Sequence, residues 1–246
     1  LAVWSEGVVT LSPADLKEYR VLFEGVLGGS ETDGARSVDG FLAAAVDSKR
    51  GLVALARRDL VQVIELRTGR PLIERRFLTR VRSLAFVPDG ADLLVGGADG
   101  RIYLWYVTGD ADGTGERGRL VERYVGPSAA VSSIVAHPEG RVFFSGGLDG
   151  AVHAWVRYGA TVSQGALSND LVSGEVFGSS TPRRIRPNDS TIEVLALSSD
   201  GRALWAGLGS GAVELWSLRG FVREARSDAH RGLVRQLSPS SDGERV

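Results

Sequence analysis

His137, His153 and His230 are the only imidazoles in a chain of 246 residues, so any acid–base chemistry has few candidates. Nucleophilic catalysis needs a nucleophile, a base and an orienting group that converge in space. His137 stands in a turn after one short apolar run and His153 inside another, while His230 precedes "RGLVRQL". All three read as scaffold or surface positions. Cysteine is absent, which removes disulfides, zinc thiolates and iron–sulfur clusters from this segment. No His-x-x-x-His spacing occurs either, so no transition-metal site is expected. No catalytic residue, no metal and no cofactor is expected.

Asp89, Asp99, Glu139, Asp149, Asp200 and Asp242 each precede a glycine. Paired carboxylates hydrolyse glycosides, but an acid beside a turn glycine more simply caps its own backbone. "GLGSG" (207–211) looks superficially like a phosphate loop, yet it lacks the lysine and the helix that such a loop needs. Trp105, Trp155 and Trp216 would suit a stacking platform, but their recurrence at strand ends marks them as core. Arg183, Arg184 and Arg186 in "TPRRIRP" form a basic cluster inside a long insertion. It reads as a solvated loop and as a candidate contact for phosphate or an acidic partner.

Composition fits one medium-sized domain, with 43% hydrophobic residues, 24% charged residues and a formal net charge of -1. That balance offers no electrostatic footprint for nucleic acid or an anionic membrane surface. All but two of the 29 basic residues are arginine, a bias attributed here to a GC-rich genome. No apolar run approaches the roughly 20 residues of a membrane-crossing helix, and no signal peptide opens the chain. The chain starts with leucine and contains no methionine, so a fragment is expected. The compartment is left open, with the cytoplasm favoured.

The turn phrases belong to a longer repeat. "VRSLAFVPDGADLLVGGADGRIYLW" opens a unit at 81–107, "VSSIVAHPEGRVFFSGGLDGAVHAW" one at 131–157 and "IEVLALSSDGRALWAGLGSGAVELW" one at 192–218. A weaker unit covers 41–66, and partial units lie at 1–12 and 233–246. Each full unit reads as three short strands: an alternating strand, a Pro-Asp-Gly-like turn, an apolar strand, an Asp-Gly hairpin, and a strand ending at a bulky aromatic. A fourth strand is expected in "RPLIERRFL", "RLVERYVG" and "FVREARS". Helical periodicity never persists for a full window. Such units at this spacing suit the blades of an all-β propeller, with four antiparallel strands per blade. The chain is read as one domain, 1–246: an open arc of about five blades from a larger propeller.

These units resemble the WD-repeat β-propeller family, with tryptophan closing the third strand and Asp-Gly leading into it. The aspartate that follows tryptophan in that family is missing, since Tyr106, Val156 and Ser217 stand there. The resemblance implies a buried network of histidine, serine, turn aspartate and tryptophan. Ser145, Asp149 and Trp155 match three of its four members, whereas Val95 and Ala206 replace the serine elsewhere. Asp99, Trp105 and Trp216 are scaffold residues on the same reading.

The resemblance also implies a non-enzymatic protein–protein interaction scaffold. The alternative is a regulatory, sensor or insert module of a larger enzyme or membrane protein. The expected partners are other proteins, with no nucleic acid and no direct membrane insertion by this segment. Arg82, Ser132, Glu193 and Arg235 occupy the second position of the aligned first strands and vary in charge and size. Their neighbours Val81, Val131, Ile192 and Val234 stay apolar. That contrast marks the second position as a candidate contact at the rim of the central channel, with Arg82 and Arg235 foremost.

Overall fold

The computed structural model describes residues 2–4, 7–11, 19–24, 43–88, 92–107, 118–125, 129–157, 183–187, 190–228 and 231–240. These residues form strands and turns and, among themselves, no helix. The first sheet has three antiparallel strands, β1 (Ala2–Trp4), β2 (Gly7–Leu11) and β3 (Tyr19–Glu24). Four sheets of four antiparallel strands follow. Blade one holds β4 (Ala43–Asp47), β5 (Leu52–Arg57), β6 (Leu60–Glu65) and β7 (Pro71–Arg76). Blade two holds β8 (Val81–Phe86), β9 (Asp92–Gly97), β10 (Arg101–Tyr106) and β11 (Leu120–Val125). Blade three holds β12 (Val131–Ala136), β13 (Val142–Gly147), β14 (Ala151–Val156) and β15 (Arg183–Pro187). Blade four holds β16 (Ile192–Leu197), β17 (Ala203–Leu208), β18 (Val213–Ser217) and β19 (Val222–Ser227).

Within a blade the strands run in chain order, and consecutive strands pair antiparallel. The hairpin between the second and third strands is set by its residues. Gly100, Gly150 and Gly211 have φ of 79°, 71° and 93°, a region that glycine enters without a Cβ clash. Asp99 and Asp149 accept the backbone N–H of Arg101 (3.2 Å) and Ala151 (3.1 Å). The acids therefore cap their own turns.

The innermost strands β4, β8, β12 and β16 pack in succession, so the blades stand side by side as a partial propeller. One apolar layer separates each pair. Val63, Leu93, Val95 and Trp105 lie between blades one and two, Leu94, Ile102, Phe143 and Trp155 between two and three, and Phe144, Val152, Leu204 and Trp216 between three and four. A second strand caught between two layers is buried on both faces. That is why "DLLVGG" and "VFFSGG", buried along their whole length, do not alternate.

Blade order is keyed by a repeated fit. A Cβ on Gly96 would sit 2.9 Å from Cγ1 of Val131, and one on Gly146 would sit 2.3 Å from Cγ2 of Ile192. The opening residues of β12 and β16 thus fill the space left by a glycine in the previous blade. Val234 does the same at Gly207, where a Cβ would meet its Cγ1 at 2.6 Å. Residues 233–240, expected to begin a further unit, nevertheless form no strand. Strand β3 lies in a stretch where the sequence suggested nothing.

One placement needs correction. Arg183, Arg184 and Arg186 belong to β15, the outer strand of blade three, and not to a solvated loop. The sequence "RRIRP" has no apolar alternation because an outermost strand has a free edge. Charged residues and proline on such an edge discourage pairing with another chain. Arg75, Arg76, Arg223 and Arg226 lie on the equivalent strands β7 and β19.

Candidate functional site

In the four blades the second-to-third-strand hairpins and the starts of the inner strands lie on one rim of the arc. The residues that open each inner strand stand there. In blades two, three and four the pairing slips at this point: Val81 and Ser83, Val131 and Ser133, and Ile192 and Val194 face consecutive partners. Arg82, Ser132 and Glu193 are therefore the extra residue of a β-bulge, a device that re-aims a side chain. Alternation alone did not foretell this.

The three bulge residues differ in what they do. The Ser132 hydroxyl lies 3.0 Å from the carbonyl of Gly146 and also contacts the carbonyl of Ile192 in blade four. Glu193 accepts the hydroxyl of Thr191 at 2.6 Å. Arg82 is exposed and has no hydrogen-bonding or ion-pair partner among the described residues. Arg235 is likewise exposed, beside buried Val234. Arg184 is exposed on its outer strand, opposite His153.

Two neighbours of the bulge join the blades. The Ser83 hydroxyl donates to the carbonyl of Val131 at 3.1 Å, and that of Ser133 accepts the N–H of Leu195 at 2.9 Å. The rim is thus stitched from blade to blade by short polar contacts.

Below the rim, the third strands carry the tryptophans. Trp105, Trp155 and Trp216 are all buried. The Trp155 indole N–H donates to Ser145 Oγ at 2.9 Å, and His153 Nε2 lies 3.1 Å from Asp149 Oδ2. The family model of the WD domain, G-beta repeat, matches residues 76–106 and 118–155, from the end of β7 to the tryptophan of β14. These two stretches are WD-repeat units. No curated protein matches it. WD repeats generally mediate protein–protein interaction.

The blades surround their tryptophans in different ways. Blade three brings together Ser145, Asp149 and Trp155, with His153 from the same blade bonded to the turn aspartate. In blade four Ala206 leaves no hydroxyl, and the Trp216 N–H donates instead to Glu214 Oε2 at 3.1 Å. Glu214 is fully buried, and Arg223 and Arg226 reach its other oxygen at 2.9 Å and 3.2 Å. In blade two Val95 offers nothing, and the Trp105 Nε1 has no partner among the described residues.

Sequence reasoning missed Glu214. The available signal was a glutamate in the apolar run "AVELW", with two arginines spaced to face it from the next strand.

His137 is a further buried tie. Its Nε2 lies 3.1 Å from the carbonyl of Gly201 in blade four, while its Nδ1 accepts the N–H of Glu139 at 3.2 Å. That arrangement suits the neutral ring, and burial holds its pKa below the ordinary histidine value. His230, Asp89 and Asp242 lie outside the described residues. Among the described residues no helix is long and apolar enough to cross a membrane.

Proposed function

We propose that this WD-repeat segment is a non-enzymatic scaffold that holds other proteins through the rim carrying its turns. The observation that carries this reading is the division of labour among the polar side chains. His137, His153, Asp99, Asp149, Ser145 and Glu214 are each engaged in bonds that hold a turn, a tryptophan or a neighbouring blade. The groups best suited to chemistry are thereby occupied in the scaffold, while Arg82 and Arg235 project from it. A rim fixed by hydrogen bonds between blades loses little entropy on binding, which favours partner recognition.

The test is affinity capture of the full-length protein followed by mass spectrometry, beside a folded Arg82→Glu/Arg235→Glu variant. Stoichiometric partners that the variant loses support the reading. Recovery of the protein alone, from both forms, overturns it.

A further inference from the structure

We infer that the rim between blades one and two docks an acidic peptide segment bearing an apolar side chain. The inference deepens the scaffold reading and rests on it. The return from β7 to β8, residues 77–80, lies between the hairpin of blade one (58–59) and that of blade two (98–100). Three backbone bonds pin it: Phe77 N–H to Asp59 O (2.8 Å), Val81 N–H to Arg58 O (2.6 Å) and Ala98 N–H to Arg80 O (2.8 Å). The surface is therefore preorganised rather than a loose loop.

On this fixed backbone Leu78 is 93% exposed, and Arg58, Arg80 and Arg82 are all exposed around it. Arg80 and Arg82 have no side-chain partner among the described residues. The nearby acids do not neutralise them. Asp59 is held by Arg76 at 3.1 Å through both oxygens, and Asp99 lies 3.7 Å from Arg101. Arg58 holds φ of 52° at the hairpin tip, a strained conformation for a side-chain-bearing residue, and such outliers concentrate at functional sites.

The equivalent places elsewhere are not built this way. Ser132 is spent on two carbonyls and Glu193 carries the opposite charge and a bond to Thr191. An exposed leucine followed closely by the exposed Arg80 and Arg82 fits a chain that brings carboxylates and one apolar group, since arginine pairs with carboxylates through its planar fork. Nucleic acid fits less well. Single strands are held by stacking on exposed aromatics, and within residues 43–88 and 92–107, which hold this site, no aromatic side chain is exposed.

The experiment is fluorescence anisotropy on the full-length protein with a labelled Asp/Glu-rich peptide containing one central leucine. Comparators are the same peptide with serine for leucine, its Lys-rich counterpart and an oligothymidylate of equal charge. The acidic leucine peptide is expected to bind, and to weaken as salt rises. Arg80→Glu/Arg82→Glu should weaken it about tenfold or more, and Leu78→Ser or the serine peptide about threefold. Reversals on the opposite rim, Arg70→Glu with Arg202→Glu, should leave it unchanged.

Equal binding by a folded Arg80→Glu/Arg82→Glu protein overturns the inference, as does equal binding of the oligothymidylate or the Lys-rich peptide, or no binding of the acidic one. If native partners are captured equally by the double variant, this site falls while the scaffold reading stands.

Discussion

Arg157, just beyond the last residue of β14 in blade three, places its guanidinium 3.0 Å from the carboxylate of Asp92 in β9 of blade two. Its Nε also donates to the carbonyl of Gly140 at 2.7 Å. Asp92 is almost wholly buried, so this pair ties two blades together at the rim opposite the one proposed to bind. Truncating the arginine leaves a buried carboxylate without its cation. Arg157→Ala should cost about 3 kcal/mol, near the range for breaking one side of a buried pair. Chemical denaturation checks this, and Asp92→Asn/Arg157→Ala should lose much less than the two single changes added together.

The glycine fit between blades three and four predicts a steric result. Gly146→Ala brings a Cβ to 2.3 Å from Ile192 Cγ2, and overpacking of this kind costs roughly 1–3 kcal/mol. Ile192→Ala in the same background should restore part of that loss. Calorimetry of the two single variants and the double variant reads the coupling, which should be clearly non-additive.

The tryptophan sites predict a graded series. Trp155→Ala removes a buried ring that contacts Tyr124 and Phe143 and should cost about 3–5 kcal/mol. Ser145→Ala leaves the buried indole N–H unpaired and should cost about 1–3 kcal/mol. Glu214→Leu should fall in the same lower range, because it strips Trp216 of its acceptor and leaves the arginines half in water. Val95→Ser in blade two is the converse, offering Trp105 the hydroxyl that Ser145 gives Trp155. Unfolding midpoints in urea order the four.

The buried His137 ring sets a pH dependence. Its folded pKa lies below the ordinary value because burial disfavours the charged form, with Glu139, Asp200 and the Gly201 carbonyl only partly opposing this. The unfolded chain therefore binds the proton first as pH falls below about 6.5. Stability from this site is fully present above that value and is lost progressively as pH drops through the folded pKa. Melting temperature measured from neutral pH downward should fall, and His137→Gln should flatten this part of the profile.

Much of the fold was legible because the units repeat. The Asp-Gly hairpins and the tryptophans at 105, 155 and 216 recur at matched positions, so one alignment exposes each blade's inner three strands. β15 was not legible, because "RRIRP" carries edge chemistry instead of an apolar pattern. The bulges at Arg82, Ser132 and Glu193 were hidden for another reason: a bulge depends on pairing with the neighbouring strand, and no local residue type announces it. The same holds for His137, whose partner Gly201 is 64 residues away. Of the rim, the sequence marked Arg82 and Arg235 by their variability. It did not mark Leu78 and Arg80, because their exposure comes from how residues 77–80 are pinned between two hairpins.

If this arc binds another protein through a prebuilt rim, the mass of its native complex reports that binding. The full-length protein, captured from its own cells and measured by native mass spectrometry, should appear bound to a partner in fixed stoichiometry. Folded Arg80→Glu/Arg82→Glu protein should appear at its own mass. A wild-type protein found only at its own mass would rule out binding through the rim.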